Sequence, residues 1–180
     1  MKVSSTKLDG CIVIEPKVFR DERGFFLETY QKEKYKQIGI KELFVQDNFS
    51  SSSKNVLRGL HFQKNNPQGK LVTVTHGIVF DVAVDLRTGS KTFGQYESII
   101  LSSENKLQFY LPPGFAHGFC VISDRADFQY KCTDYYDPND EGSIIWNDPD
   151  IDIQWPIQEP ILSLKDEKAP KLQQIKNTFI

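Results

Sequence analysis

The chain is poor in cysteine, carries no excess of basic residues and has no long hydrophobic run. Its three cysteines in 180 residues, Cys11, Cys120 and Cys132, are widely spaced and include no CxxC pair. An odd number at such spacing fits neither a disulfide framework nor a zinc site, and suits reduced thiols in a cytoplasmic setting. Lys and Arg total 22 against 24 Asp and Glu, a formal charge of −2. A general binder of nucleic acid or anionic membrane needs a strong basic excess, so neither partner is expected. A small anionic ligand held by two or three local cations is not excluded. Apolar runs extend no further than Phe119–Ile122, far short of the roughly 20 residues of a spanning helix. The start, Met1-Lys2-Val3-Ser4-Ser5, lacks the apolar core of a signal peptide.

What is present reads as a globular β protein. Hydrophobic residues make up 39% and charged residues 26%, which excludes wholesale disorder. The length favours one domain over 1–180, and no repeat or composition shift marks a second. Period-two alternation dominates. Ile78, Phe80, Val82, Val84 and Leu86 alternate with Val79, Asp81, Ala83 and Asp85, and Phe26, Glu28 and Tyr30 with Phe25, Leu27 and Thr29. Such patterns predict two-faced strands. Turn signals at 21–24, 76–77, 88–90, 112–114 and 137–140 give the short spacing of an antiparallel sandwich or barrel. Ser50–Ser53 reads as a polar loop. Helical signals are few: Gln31–Ile38 stopping at Gly39, and a capped turn from Ser163 cut short by Pro170.

Several segments carry residue types suited to chemistry. In Val56–Gln63, Arg58 and His61 stand three apart, on opposite faces by strict alternation. A bulge at Gly59 would bring them to one face. Histidine exchanges protons near neutral pH, although a strand-end histidine bonded to backbone is the plainer reading. Leu111–Phe119 contains P-x-G-x-x-H ending at His117. This resembles the second motif of the cupin superfamily, in which a Pro-Gly turn delivers a histidine into a small barrel. Metal-binding cupins also have an H-x-H and a nearby Glu, but here the matching stretch is His61-Phe62-Gln63, with no Glu before Lys70. Three or four protein ligands are usual for a divalent metal, so no metal is expected. His76, beside a Gly turn, reads as a solvated loop residue. Lys70 is either edge protection for a strand or, in a dry pocket, an oxyanion partner. Tyr130, Tyr135 and Tyr136 are packing residues, a proton donor or a platform for a base. Arg23, Phe26 and Glu28, taken alone, belong to a solvated hairpin.

Taken in series, Arg58-Gly59-Leu60-His61, Gln68-Gly69-Lys70-Leu71-Val72, Asp81–Arg87, Gly114–Phe119 and Leu162–Asp166 strongly resemble the dTDP-4-dehydrorhamnose 3,5-epimerase family, from about Gly10 to Leu172. The resemblance implies an all-β, cupin-type jelly-roll barrel with a few short helices. It implies no cofactor and no metal, and a homodimer with exchanged N-terminal strands. It also implies roles: His61 as proton acceptor, Asp166 as the acid orienting it, Tyr130 as proton donor, and Lys70 near the C4 oxygen of the sugar. Arg58 and His117 match residues gripping diphosphate and sugar, and Gln46, Asp47 and Asn48 a substrate-binding stretch. Glu141 and Lys165 match two further substrate positions, and Tyr136 the aromatic residue stacking on thymine. Arg23 and Glu28, with Phe26 between them, match nucleotide-binding positions reached from the neighbouring subunit. The implied reaction inverts C3 and C5 of dTDP-4-dehydro-6-deoxy-D-glucose. Relatives inverting one carbon only share the same base, acid and lysine, and a non-catalytic sugar-nucleotide binder is the alternative of another class.

Overall fold

The computed structural model describes residues 1–175, so residues 176–180 of the expected 1–180 unit lie outside the described residues. The strands are β1 (Lys2–Ser5), β2 (Ile12–Glu15), β3 (Val18–Asp21), β4 (Gly24–Leu27), β5 (Gln46–Ser53), β6 (Leu57–Gln63), β7 (Lys70–His76), β8 (Ile78–Asp85), β9 (Tyr96–Ser102), β10 (Gln108–Leu111), β11 (Phe115–Val121), β12 (Arg125–Cys132) and β13 (Glu141–Ser143). Three short helices are α1 (Lys32–Gln37), α2 (Leu164–Glu167) and α3 (Leu172–Ile175). One sheet has the order β1-β2-β10-β7-β12-β5, the other β13-β6-β11-β8-β9, and β3–β4 form a separate hairpin. Neighbours whose register is recorded pair antiparallel. The fold is the jelly roll expected from the sequence.

The alternating side chains sort into three clusters. Between the sheets, Val72 and Val74 meet Val79, Ala83, Phe115, Phe119, Val121 and Phe128. The other face of the β6–β11–β8 wall, with Leu60, Phe62, Val82, Val84 and Ala116, is covered by Ile144, Ile151, Ile153 and Leu172 of the C-terminal segment. The outer face of β7 and β10, with Leu71 and Tyr110, is covered by Tyr35 of α1 and by Ile40. A strand buried on both faces loses the apolar-in, polar-out pattern, and that changes two residues of β8. Asp81 and Asp85 sit on what looks from the sequence like a polar face, yet both are fully buried.

The two helical expectations hold. Gln31 caps α1 by accepting from the Lys34 N–H, and Gly39 follows at φ 103°. Ser163 caps the single turn of α2 by accepting from the Asp166 N–H. Three local readings are corrected. Ser50–Ser53 is not a loop but the end of β5, paired residue for residue with β12. The small polar side chains are kept because alternate ones face the interior of the barrel. His76 is exposed, as expected, but ends strand β7. Lys70 protects no edge, because β7 lies between β10 and β12.

Candidate active site

A cavity of about 400 Å³ opens between the two sheets, lined by Arg58, His61, Lys70, His117, Tyr130, Glu141, Lys165 and Asp166. Arg58, His61 and His117 come from one sheet, and Lys70 and Tyr130 from the other. Residues widely separated in sequence therefore face one another across the core. Its apolar part includes Phe119 and Phe128, stacked at 4.2 Å and 12°.

Arg58 and His61 share this face because of a bulge. On β11, His117 and Phe119 are two residues apart, whereas their partners on β6, His61 and Arg58, are three apart. Gly59 supplies the extra residue at φ 123°, and a Cβ there would lie 2.6 Å from Gly118 Cα. Only glycine accepts that approach. Arg58 Nε then donates to Ser52 Oγ at 3.0 Å, which aims the guanidinium from the facing sheet.

His61 Nε2 lies 2.6 Å from Asp166 Oδ1. Burial alone would raise the Asp166 carboxyl, but hydrogen bonds from His61, Ser163 and the Gly59 N–H outweigh it and hold the group below the usual carboxylate range. An ionised carboxylate only accepts, so His61 Nε2–H donates to it. Nδ1 is then the ring nitrogen left to take a proton. Opposite, burial raises the Tyr130 phenol, despite the Asn48 side chain bonded to it, and the ring keeps its proton at neutral pH. Burial lowers Lys70, opposed by Cys132, Asp81 and Glu141, and its Nζ stands 5.9 Å from the centre of the Tyr130 ring.

At the mouth, Lys165 Nζ pairs with Glu141 Oε2, and the Tyr136 hydroxyl donates to the same carboxylate at 2.8 Å. Tyr136 borders a smaller recess shared with His61, Lys70, Tyr130 and Glu141. Gln46 and Asn48 stand behind this wall. Gln46 accepts from the Tyr136 N–H at 2.9 Å and donates to Asn48 Oδ1 at 3.1 Å. Asp47, between them, points to the other face of β5 and pairs with Lys131 at 2.9 Å. The cavity is not lined by Arg23, Phe26 or Glu28 of this chain. Arg23 pairs with Asp21 on the hairpin, Glu28 pairs with Lys34 beyond it, and Phe26 is 68% exposed.

Sequence reasoning missed Asp81, whose two oxygens lie 3.1 and 3.0 Å from His117 Nε2, and Ser52. Both were hidden by position, one on an apparent polar face and one in an apparent loop. His61 and His117 are direct cross-strand partners, but each is engaged by its own carboxylate. Among the described residues no group of three or more His, Cys, Asp or Glu gathers to hold a metal ion. Among the described residues no helix is long and apolar enough to cross a membrane.

The sequence model of the dTDP-4-dehydrorhamnose 3,5-epimerases matches residues 5–174. The chain belongs to the dTDP-4-dehydrorhamnose 3,5-epimerase family. Among its relatives in that family, the Salmonella typhimurium dTDP-4-dehydrorhamnose 3,5-epimerase is 55% identical over 97% of each chain. A crystal structure of a Legionella pneumophila dTDP-6-deoxy-D-glucose-3,5-epimerase in complex with dTDP-4-keto-L-rhamnose is 56% identical. It superposes with a TM-score of 0.94 over 97% of this chain and 94% of that one. A 3′-monoepimerase from Streptomyces bikiniensis in complex with dTDP-quinovose is also similar, 34% identical with a TM-score of 0.89 over 96% of this chain and 88% of that one. The chain is thus an enzyme, an epimerase of the family that serves dTDP-rhamnose biosynthesis.

Proposed function

We propose that this epimerase inverts C3 and C5 of dTDP-4-dehydro-6-deoxy-D-glucose to give dTDP-4-dehydro-L-rhamnose, with His61 as base, Tyr130 as acid and Lys70 at the C4 oxygen. One observation carries the mechanism: His61 and Tyr130 reach a single cavity from opposite sheets. The hydrogens on C3 and C5 are both α to the C4 ketone. His61 Nδ1 takes one of them, and the C–H electron pair moves into the ring to form an enolate whose oxygen lies at Lys70. The enolate collapses by taking the Tyr130 proton on the other face, which inverts the carbon. The ketone is the electron sink, so the scheme needs neither cofactor nor metal. General acids and bases each contribute about 10²–10⁴-fold, and an oxyanion partner a comparable factor.

Around this centre, Arg58 and His117 grip the diphosphate and sugar, Glu141 and Lys165 border the sugar, and Tyr136 stacks on thymine. Gln46 and Asn48 support the wall, and Asp47 extends the same stretch. Arg23, Phe26 and Glu28 serve the cavity of a second copy in a homodimer. That reading is supported by a hairpin that carries Phe19, Phe25 and Phe26 exposed. The chain works as one domain in the cytoplasm, a setting consistent with three free, buried cysteines.

The test is solvent deuterium incorporation, read by NMR of the product. Label at both C3 and C5 is the expected result. Label at one carbon makes the chain a single-site epimerase, the reading favoured by its likeness to the 3′-monoepimerase, and no label leaves a binding module.

A further inference from the structure

Asp81 has 0% exposure in the middle of β8. A carboxyl group taken wholly out of water is costly unless charges and donors face it. Here they do. In the register of β8 on β11, Ala83 lies opposite His117 and Asp81 opposite Phe119. Asp81 is therefore the diagonal neighbour of His117 on the inner face of the wall. Both its oxygens are within 3.1 Å of His117 Nε2, and the ring is held on its other side by stacking on Phe128 at 5.9 Å and 25°. From the facing sheet, Lys70 lines the same cavity as His117, and its charge and that of Asp81 favour one another. Asp81 does not line the cavity; it stands behind two side chains that do.

We infer that Asp81 is a positioning residue for the epimerisation, which orients His117 through Nε2 and keeps Lys70 a cation where the C4 enolate oxygen forms. The inference rests on the reading of Lys70 as the oxyanion partner. Its physical basis is a balance of opposing effects. Desolvation disfavours the ammonium form of Lys70, while Asp81 on β8, Glu141 on β13 and the Cys132 thiol on β12 oppose it; the Tyr130 ring also faces it. The groups facing Asp81 are His117 on β11 and Lys70 on β7. They oppose the rise that burial imposes on the carboxyl without cancelling it. An ammonium stripped of water and of its counter-charge gives up its proton more readily. A neutral amine at the C4 oxygen stabilises an enolate far less.

Asp81→Asn keeps the shape and the acceptor oxygen towards His117 while removing the charge. In the full-length protein we expect kcat to fall about tenfold or more at neutral pH. Affinity for thymidine diphosphate should stay within about twofold, because the amide oxygen still accepts from His117 Nε2 and so keeps the ring on the diphosphate. The alkaline limb of kcat/KM should move down by about one pH unit or more, the usual effect of one opposite charge at close range. A purely structural role would lower the melting temperature and leave that limb in place, and this result overturns the inference. So does a wild-type pH profile in Asp81→Asn, which would mean that the carboxyl is uncharged. Should Asp81→Asn fail to fold, lysine NMR of the wild-type enzyme, assigned with Lys70→Arg, decides. A Lys70 ammonium persisting at about pH 8 supports the inference, and a neutral amine there overturns it. Lys70→Met separates the two layers. If it turns over at the wild-type rate, the reading of Lys70 falls and this inference with it. If it is inactive while Asp81→Asn keeps both kcat and limb, the positioning role alone falls.

Discussion

The barrel interior and the β3–β4 hairpin treat their charged residues in opposite ways. Inside, Asp81, Asp85 and Asp166 are buried, and each is matched to specific donors: Asp81 to His117, Asp85 to Arg87, Ser90 and Thr92, and Asp166 to His61. On the hairpin, Arg23 meets only its neighbour Asp21, both exposed, and an exposed pair of that kind holds little in place. The hairpin is a sheet of its own, with three phenylalanine rings in solvent. Two-stranded ribbons of this size are marginal alone, and apolar rings gathered on one are a docking feature more than a fold feature. The contrast suggests a division of labour. On the proposed function, proton transfer is assembled within one chain, while the nucleotide grip is completed by a second.

The sharpest way to break this division is within the interior. Tyr130→Phe removes the phenolic proton and keeps the ring against Phe128, whose centre lies 5.9 Å away. Epimerisation should fall by about 10²-fold or more. Deuterium exchange at the substrate carbons should persist, since His61 can return a solvent-equilibrated proton to the face it came from. NMR of recovered substrate beside a coupled reductase assay reads both. Loss of exchange together with turnover would give Tyr130 some other role, and an unchanged turnover would pass the donor role to Tyr135 or bound water.

The hairpin side is tested by complementation. Arg23→Ala alone should raise KM by about tenfold or more, the weight of a lost charge-assisted contact to phosphate. Co-expressed with His61→Ala chains, it should yield hybrids with one intact site, made from the His61 of one chain and the Arg23 of the other. Activity at low substrate should then exceed the mean of the two parents. Absence of any gain in verified heterodimers would return Arg23 to its own chain.

The smallest effect concerns stability. Burial would raise Asp85, but hydrogen bonds from Arg87, Ser90 and Thr92 outweigh it and hold the group at about 2. A carboxylate depressed in the folded state stabilises above its unfolded value, near 3.9, and that contribution is lost as pH falls towards the folded value. Thr92→Val removes one of these bonds and should cost about 1 kcal/mol in urea unfolding at neutral pH. The cost should shrink between about pH 4 and pH 2 and leave hairpin-dependent KM unchanged.

Much of the site was legible only when five segments were read in series. Taken alone, a histidine after Arg-Gly in an apolar strand, a lysine entering a strand and an acid behind the helix cap at Ser163 each have a plain structural reading. Gly59 even signalled the bulge that brings Arg58 and His61 to one face. Period-two alternation and closely spaced turns, which report local backbone geometry, pointed to an antiparallel sandwich or barrel, and the jelly roll came only with the family resemblance.

Other features depended on what lay opposite each strand, and local pattern carries no record of that. Alternation marks two faces without saying whether water or protein covers them, so Asp81 and Asp85 passed for solvated residues until the C-terminal segment and the facing sheet were seen to bury β8 on both sides. Ser50–Ser53 passed for a loop because its pairing to β12 is non-local. The same holds for Asp47, which shares a motif with Gln46 and Asn48 but, one step along a strand, points the other way. The sequence by itself determined the chemical groups and the strand periodicity, which are properties of neighbours along the chain. Only the tertiary structure decided which groups meet across the cavity and which carboxylates lose their water, because both depend on the packing of one sheet against another.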